Sequence, residues 1–166
     1  MKKTLNKAKR KVILCRGIQC SGKTTFTEQW VKEDPEHRIR FNNDDIRNML
    51  GNYLIPSREA FIKDLKNIFL WEGMAFGFDI IIDDINLNEE EIDFYKRGVE
   101  DWNKTNYPLT RPTYTVEFKD FFIPLQVCID RNSKMEHPIG EKVIRETYEK
   151  YKDIIEDSMF NSIQEN

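Results

Sequence analysis

Histidine, cysteine, proline and glycine are all scarce in this chain of 166 residues: two, three, six and seven respectively. His37 and His137 have no partners at metal-ligand spacing, and Cys15, Cys20 and Cys128 form no such pattern. A zinc module and a disulfide framework are therefore excluded, and free cysteines suit a reducing cytoplasm. No apolar run is long enough to span a bilayer, and the one behind the basic start is too short for a signal peptide, so no membrane role is expected. A dominant charge is missing too. Twenty-six Lys and Arg face 29 Asp and Glu, a formal net charge of −3. A general polyanion-binding surface is thereby excluded, and any contact with nucleic acid should be local. There is no repeat, low-complexity tract or linker. With 39% apolar and 33% charged residues, the composition is that of one soluble domain with a sizeable core.

What is present begins with Gly17-Ile18-Gln19-Cys20-Ser21-Gly22-Lys23-Thr24, a match to G-x-x-x-x-G-K-[ST]. Val12 to Cys15 reads as a buried strand before it, and Thr24 to Lys32 as the first turns of a helix after it. That order is the one the motif requires. Gly17 and Gly22 let the backbone turn around an anion. Amides of the loop, including Ser21 and Thr25 at its helical end, point positive ends inward. Lys23 supplies a cation for the β and γ phosphates of ATP or another nucleoside triphosphate, and the Thr24 hydroxyl a ligand for Mg²⁺.

Downstream, Asp34-Pro35 stops the first helix. Arg38 to Phe41 reads as a second strand, Asn42 to Asp45 as its polar exit, and Ile46 to Leu50 as a short helix. Ser57 is placed as the cap of the next helix, with Phe61, Leu65, Ile68 and Glu72 spaced along it. Phe78 to Asp83 is the clearest central strand. Asn88 caps a helix striped with Ile92, Tyr95, Val99 and Trp102. Tyr114 to Phe118 reads as a further strand, Pro124 to Asp130 as a short helix, and Ile139 to Asp157 as a final one. Residues 1–11 form a basic arm, 12–160 a single α/β domain, and 161–166 a frayed tail. Alternating strands and helices predict a three-layer sandwich: a parallel sheet covered by helices, of the P-loop NTPase type, with a helical lid.

Ligands of such sheets lie at the carboxyl ends of the strands. This rule gathers the glycine loop, Asp44, Asp45 and Arg47 after the second strand, and Asp83, Asp84 and Asn86 after the central one. Asp44 is placed as a proton acceptor for an alcohol, with Asp45 a close rival. Arg47, three residues on, shares its helix face and suits a phosphate. Of Asp83 and Asp84, one faces the cleft and the other supports it. Arg131, Lys134 and Arg145 are candidates for a lid over the triphosphate.

Gly17 to Thr24, Asn43-Asp44-Asp45-Ile46-Arg47, Ile82 to Asn88 and Arg131-Asn132-Ser133-Lys134 together resemble the 5′-kinase domain of the bacteriophage polynucleotide kinase family, over nearly the whole chain beyond the basic arm. The resemblance implies transfer of the ATP γ-phosphate to the 5′-hydroxyl end of DNA or RNA. It implies Asp44 as general base, Arg47 on the phosphate 3′ to the acceptor nucleoside, and Asp84 rather than Asp83 holding the acceptor end. Lys23 and Thr24 match the donor-site residues. It further implies a cytoplasmic protein, in the host cytoplasm if phage-encoded; the family's phosphatase half is absent, so a stand-alone kinase or a fragment is expected, with a separate phosphatase or ligase as a candidate partner. Two positions depart from the pattern. Met135 stands where the family carries a lid Arg, and Ile18-Gln19-Cys20 where small residues are usual. A small-molecule kinase, and a nucleotide-binding regulatory protein, are the competing expectations.

Overall fold

The computed structural model describes residues 8–51, 55–105 and 111–164, with backbone only for 161–164. The strands are β1 (Lys9–Arg16), β2 (Arg38–Phe41), β3 (Asp79–Ile82) and β4 (Thr113–Asp120). All four are parallel, in the order β2-β3-β1-β4. The helices are α1 (Lys23–Glu33), α2 (Asn43–Met49), α3 (Pro56–Ala75), α4 (Glu89–Lys104), α5 (Leu125–Asn132), α6 (Glu141–Lys150) and α7 (Lys152–Gln164).

Alternation along β1 sends its side chains to two different cores. Val12 and Leu14 join Leu70 and Met74 of α3, Tyr95, Val99 and Trp102 of α4, and Ile80 and Ile82. Ile13 and Cys15 join Ile81 and Trp30 of α1 on the opposite face. The sheet is therefore covered on both sides. A third cluster binds the α5–α6–α7 segment to the glycine loop through Ile18, Leu87, Cys128, Ile129, Ile144 and Ile155. It is this cluster that makes the last three helices a lid.

Several expectations are revised. Lys9, Arg10 and Lys11 of the basic arm are strand residues, paired with Thr113, Tyr114 and Thr115; residues 1–7 lie outside the described ones. Ser57 is not a cap. Ile55 stands at the N-cap and Pro56 at the first helical position, where its missing N–H costs nothing. Along α3 the packed side is Ile62, Lys66, Leu70, Gly73 and Met74, while Phe61 and Ile68 are half exposed. The final helix is two, broken at Tyr151, and the second continues to Gln164.

Candidate active site

The glycine loop joins β1 to α1. Gly17 (φ +153°), Cys20 (φ +61°) and Gly22 (φ +106°) interrupt the ordinary backbone and curl the amides into a concavity. Lys23 is buried within it. Its Nζ donates to the carbonyls of Gly17 (2.9 Å) and Ile18 (2.7 Å). Burial pushes the Lys23 ammonium pKa down, and Asp83 is the leading charge opposing that shift. Thr24 and Thr25 are exposed at the start of α1. From the lid, Arg131 donates to the Ser21 carbonyl (3.1 Å).

Gly17 has no room for a side chain. A Cβ would lie 2.8 Å from the Phe121 carbonyl oxygen and 2.9 Å from Ser21 Oγ. Gly17→Ala is expected to destabilise the protein by about 1–3 kcal/mol. A Tm equal to wild type would contradict this reading of the loop.

Asp83 follows β3, where its amide donates to the Phe41 carbonyl (2.9 Å). Its side chain is 1% exposed. Oδ2 accepts from Arg40 Nε (2.9 Å), an Arg40 terminal nitrogen (2.7 Å) and Thr27 Oγ1 (3.0 Å), while Oδ1 is buried without a partner. Arg40 also reaches Asp45 (2.5 Å). Asp45 thus belongs to a structural ion-pair chain. Asp44 does not share it, which separates two residues that the sequence barely distinguishes. Sequence reasoning passed over Arg40 and Thr27. The available signal was Arg40 itself, a charge flanked by Ile39 and Phe41 in a strand.

Asn42 caps α2 by accepting from the Asp45 amide (3.0 Å), and its Nδ2 donates to the Asp83 carbonyl. Asp44 is left 76% exposed, open to an incoming molecule. Arg47 donates to Asp44 (2.5 Å) and, bidentately, to Glu59 of α3 (2.9 and 2.7 Å). The bonds to Glu59, foremost, hold the Arg47 pKa above its ordinary value. Glu59, in the first turn of α3, is therefore the residue that orients Arg47. Asn86, gathered with Asp83 and Asp84 at the end of the central strand, is fully buried at φ +46° and donates to the carbonyls of Cys15 (2.8 Å) and Ile82 (3.0 Å), pinning β3 to β1.

Asp84 sits between these groups. Oδ1 accepts from the Asn43 amide (3.1 Å) and Oδ2 is buried and unpartnered. Burial pushes its pKa up to about 6, against the Asn43 amide and Lys66, which favour the carboxylate. A carboxyl raised in the folded state binds its proton there over a range where the unfolded chain has lost it. Stability from this group is full below about pH 4 and is lost as pH rises through about 6. Asp84→Asn should therefore match wild-type stability near pH 4 and exceed it at pH 7 by up to about 3 kcal/mol. Urea titrations at the two pH values test this; an equal difference at both would contradict it.

The lid residues divide. Arg131 reaches the loop. Lys134 is exposed, and its backbone amide donates to the Arg131 carbonyl (3.2 Å). Arg145 pairs with Glu141 on its own helix (2.6 Å) and not with the loop. Met135, at the departure from the family pattern, lies with Sδ 3.6 Å from Cys20 Sγ, so a thioether stands over the loop where a cation was expected. Among the described residues no group of three or more His, Cys, Asp or Glu could hold a metal ion by itself, and no helix is long and apolar enough to cross a membrane.

Comparison with known proteins agrees with this architecture. The model of a family described as an AAA domain matches residues 12–157. L-seryl-tRNA(Sec) kinase of Methanococcus maripaludis is 30% identical over 149 residues, covering 84% of this chain and 52% of its own. The chain therefore spans about half the length of that relative. Among solved structures, the Pnkp1/Rnl/Hen1 RNA repair complex contains a chain superposing with a TM-score of 0.69 at 22% identity, covering 95% of this chain and 49% of that one. The APS kinase CysC of Mycobacterium tuberculosis, in complex with AMPPNP and APS, superposes with a TM-score of 0.54 at 17% identity, over 76% and 70% of the two chains. By the match over residues 12–157, together with its glycine loop, parallel sheet and lid, the chain belongs to the AAA domain family and has a P-loop kinase fold.

Proposed function

We propose that this protein transfers the γ-phosphate of ATP to the 5′-hydroxyl end of a DNA or RNA strand. The observation that carries the reading is the Asp44–Arg47–Glu59 unit. It joins an exposed carboxylate to a cation oriented by a second carboxylate. Guanidinium has five N–H donors. The three bonds just described leave one on each terminal nitrogen, a fork suited to a phosphate beside the acceptor hydroxyl. Asp44 takes the proton of that hydroxyl as it attacks the γ-phosphorus. Asp84, adjacent and held by the Asn43 amide, orients the acceptor end.

Gly17, Ser21, Gly22, Lys23 and Thr25 hold the donor phosphates in the loop. Arg131 closes over it and Lys134 adds positive charge nearby. Magnesium, when bound, supplies charge neutralisation on those phosphates. The exposed Thr24 hydroxyl fits it, and so does Asp83, whose Oδ1 is a buried acceptor without a partner. The match to a chain of an RNA repair complex supports a nucleic-acid acceptor. A second reading, a kinase for a small alcohol, is favoured by the likeness to APS kinase.

The test is transfer of labelled γ-phosphate from magnesium ATP to 5′-hydroxyl oligonucleotides by the purified protein, beside Lys23→Ala. Labelled ends with wild type and none with the variant are expected. Labelled small alcohols without labelled ends would select the second reading. Equal background from both proteins would reject catalysis.

A further inference from the structure

A cavity of 570 Å³ opens between α2, α3 and α4, with Arg47 in its lining. Its walls are two helix faces. Glu59, Lys63 and Lys66 fall at i, i+4 and i+7 on α3, and Glu90, Phe94 and Arg97 at the same spacing on α4. Two of the cations are already neutralised: Arg47 by Glu59 (2.7 Å), and Lys66 by Glu91 (3.2 Å). Lys63 and Arg97 have no carboxylate partner among the described residues; Arg97 donates only to the Asp93 carbonyl (3.2 Å). Phe94 of the same lining is half-buried, edge-on to Tyr95 (centroids 5.2 Å apart). The cavity thus offers two uncommitted cations and an aromatic ring in the same lining as Arg47, with Glu90 its one carboxylate outside an ion pair among the described residues. Lys63 lies one helical turn beyond Glu59, roughly 6 Å along the axis, the order of the separation between successive phosphates of a single strand.

We propose that this cavity takes the acceptor strand beyond its first phosphate: Lys63 and Arg97 bind the second phosphate, and a base lies against Phe94. The inference rests on the polynucleotide kinase reading and sharpens it, because the substrate becomes an oligonucleotide rather than a single nucleotide or a small alcohol. Paired carboxylates set the selectivity. They offset much of the charge of Arg47 and Lys66, and Glu90 offsets part of the charge of the other two cations, so the surplus positive charge of the cavity lies at the second phosphate.

The experiment compares kcat/KM for a 5′-hydroxyl nucleoside 3′-phosphate with that for a 5′-hydroxyl dinucleotide bearing a 3′-phosphate, in wild type and the double variant Lys63→Gln, Arg97→Gln. Both positions are exposed, so folding should be intact; Lys104→Gln, at the far end of α4, serves as control. Wild type should favour the two-phosphate acceptor about tenfold, and the double variant should lose most of that ratio while Lys104→Gln keeps it. In parallel, binding of the labelled two-phosphate acceptor against salt should show a log–log slope smaller by about 0.7 per lost phosphate contact. A wild-type ratio near one, or a ratio and slope unchanged in the double variant, overturns the inference while leaving 5′-kinase activity standing. Transfer to neither acceptor, with small alcohols labelled instead, overturns both.

Discussion

Replacing Asp44 by Asn is expected to lower turnover of a 5′-hydroxyl acceptor by about 10²- to 10⁴-fold, the range that a positioned general base contributes. The carboxamide keeps the shape and still accepts from Arg47, so binding of the acceptor should change far less than kcat. The stability cost should be small, because the Asp44–Arg47 pair is exposed on the Asp side and such pairs contribute little. Asp45→Asn is the matched control. Its carboxylate pairs with Arg40 and faces the structural network, so kcat should remain within a few-fold of wild type. Single-turnover rates and melting curves of the two variants give the answer. A large kcat loss in Asp45→Asn with a small one in Asp44→Asn would exchange their roles.

Replacing Asp83 by Ala should have the largest effect on stability. Arg40, with its side chain only 15% exposed, would keep its charge and lose two of its three carboxylate contacts. Thr27 would lose its acceptor across the sheet end. Removing one member of a buried pair costs about 3–5 kcal/mol, which for a chain of this length lowers Tm by roughly 6–20 °C. Because the penalty comes from an uncompensated charge, Arg40→Met combined with Asp83→Leu should recover much of it. Failure of that recovery would mean that the pair specifies the fold around the loop rather than balancing a charge.

The two replacements differ because the two aspartates meet the solvent differently, and no pattern in the sequence states that difference. Asp44 and Asp45 are adjacent in a short helix, as are Asp83 and Asp84 at a strand end. Adjacent residues point apart, so in each pair one side chain turns toward the network and the other away from it. Which one does so depends on the rotation of α2 and the exit of β3, both fixed by packing against distant elements. Ser57 shows the same limit in local form. It is a good cap by residue type, yet Pro56 starts the helix two residues before the position that such a cap implies. The break at Tyr151 lies inside an unbroken amphipathic stripe and carries no glycine or proline to announce it.

The sequence by itself determined the phosphate loop, the alternation of strands and helices, and hence which three segments gather at one end of a parallel sheet. Those are consequences of local chemistry: glycines where a Cβ cannot fit, apolar runs of strand length, a cation and a hydroxyl at fixed spacing. Only the tertiary structure decided that Arg40 ties Asp83 to Asp45, that Glu59 rather than solvent holds Arg47, that Arg131 and not Arg145 reaches the loop, and that Lys63 and Arg97 share a cavity. Each of these is a meeting of side chains far apart along the chain. Their distances are set by how the helices pack, a property of the whole core that no short stretch of residues contains.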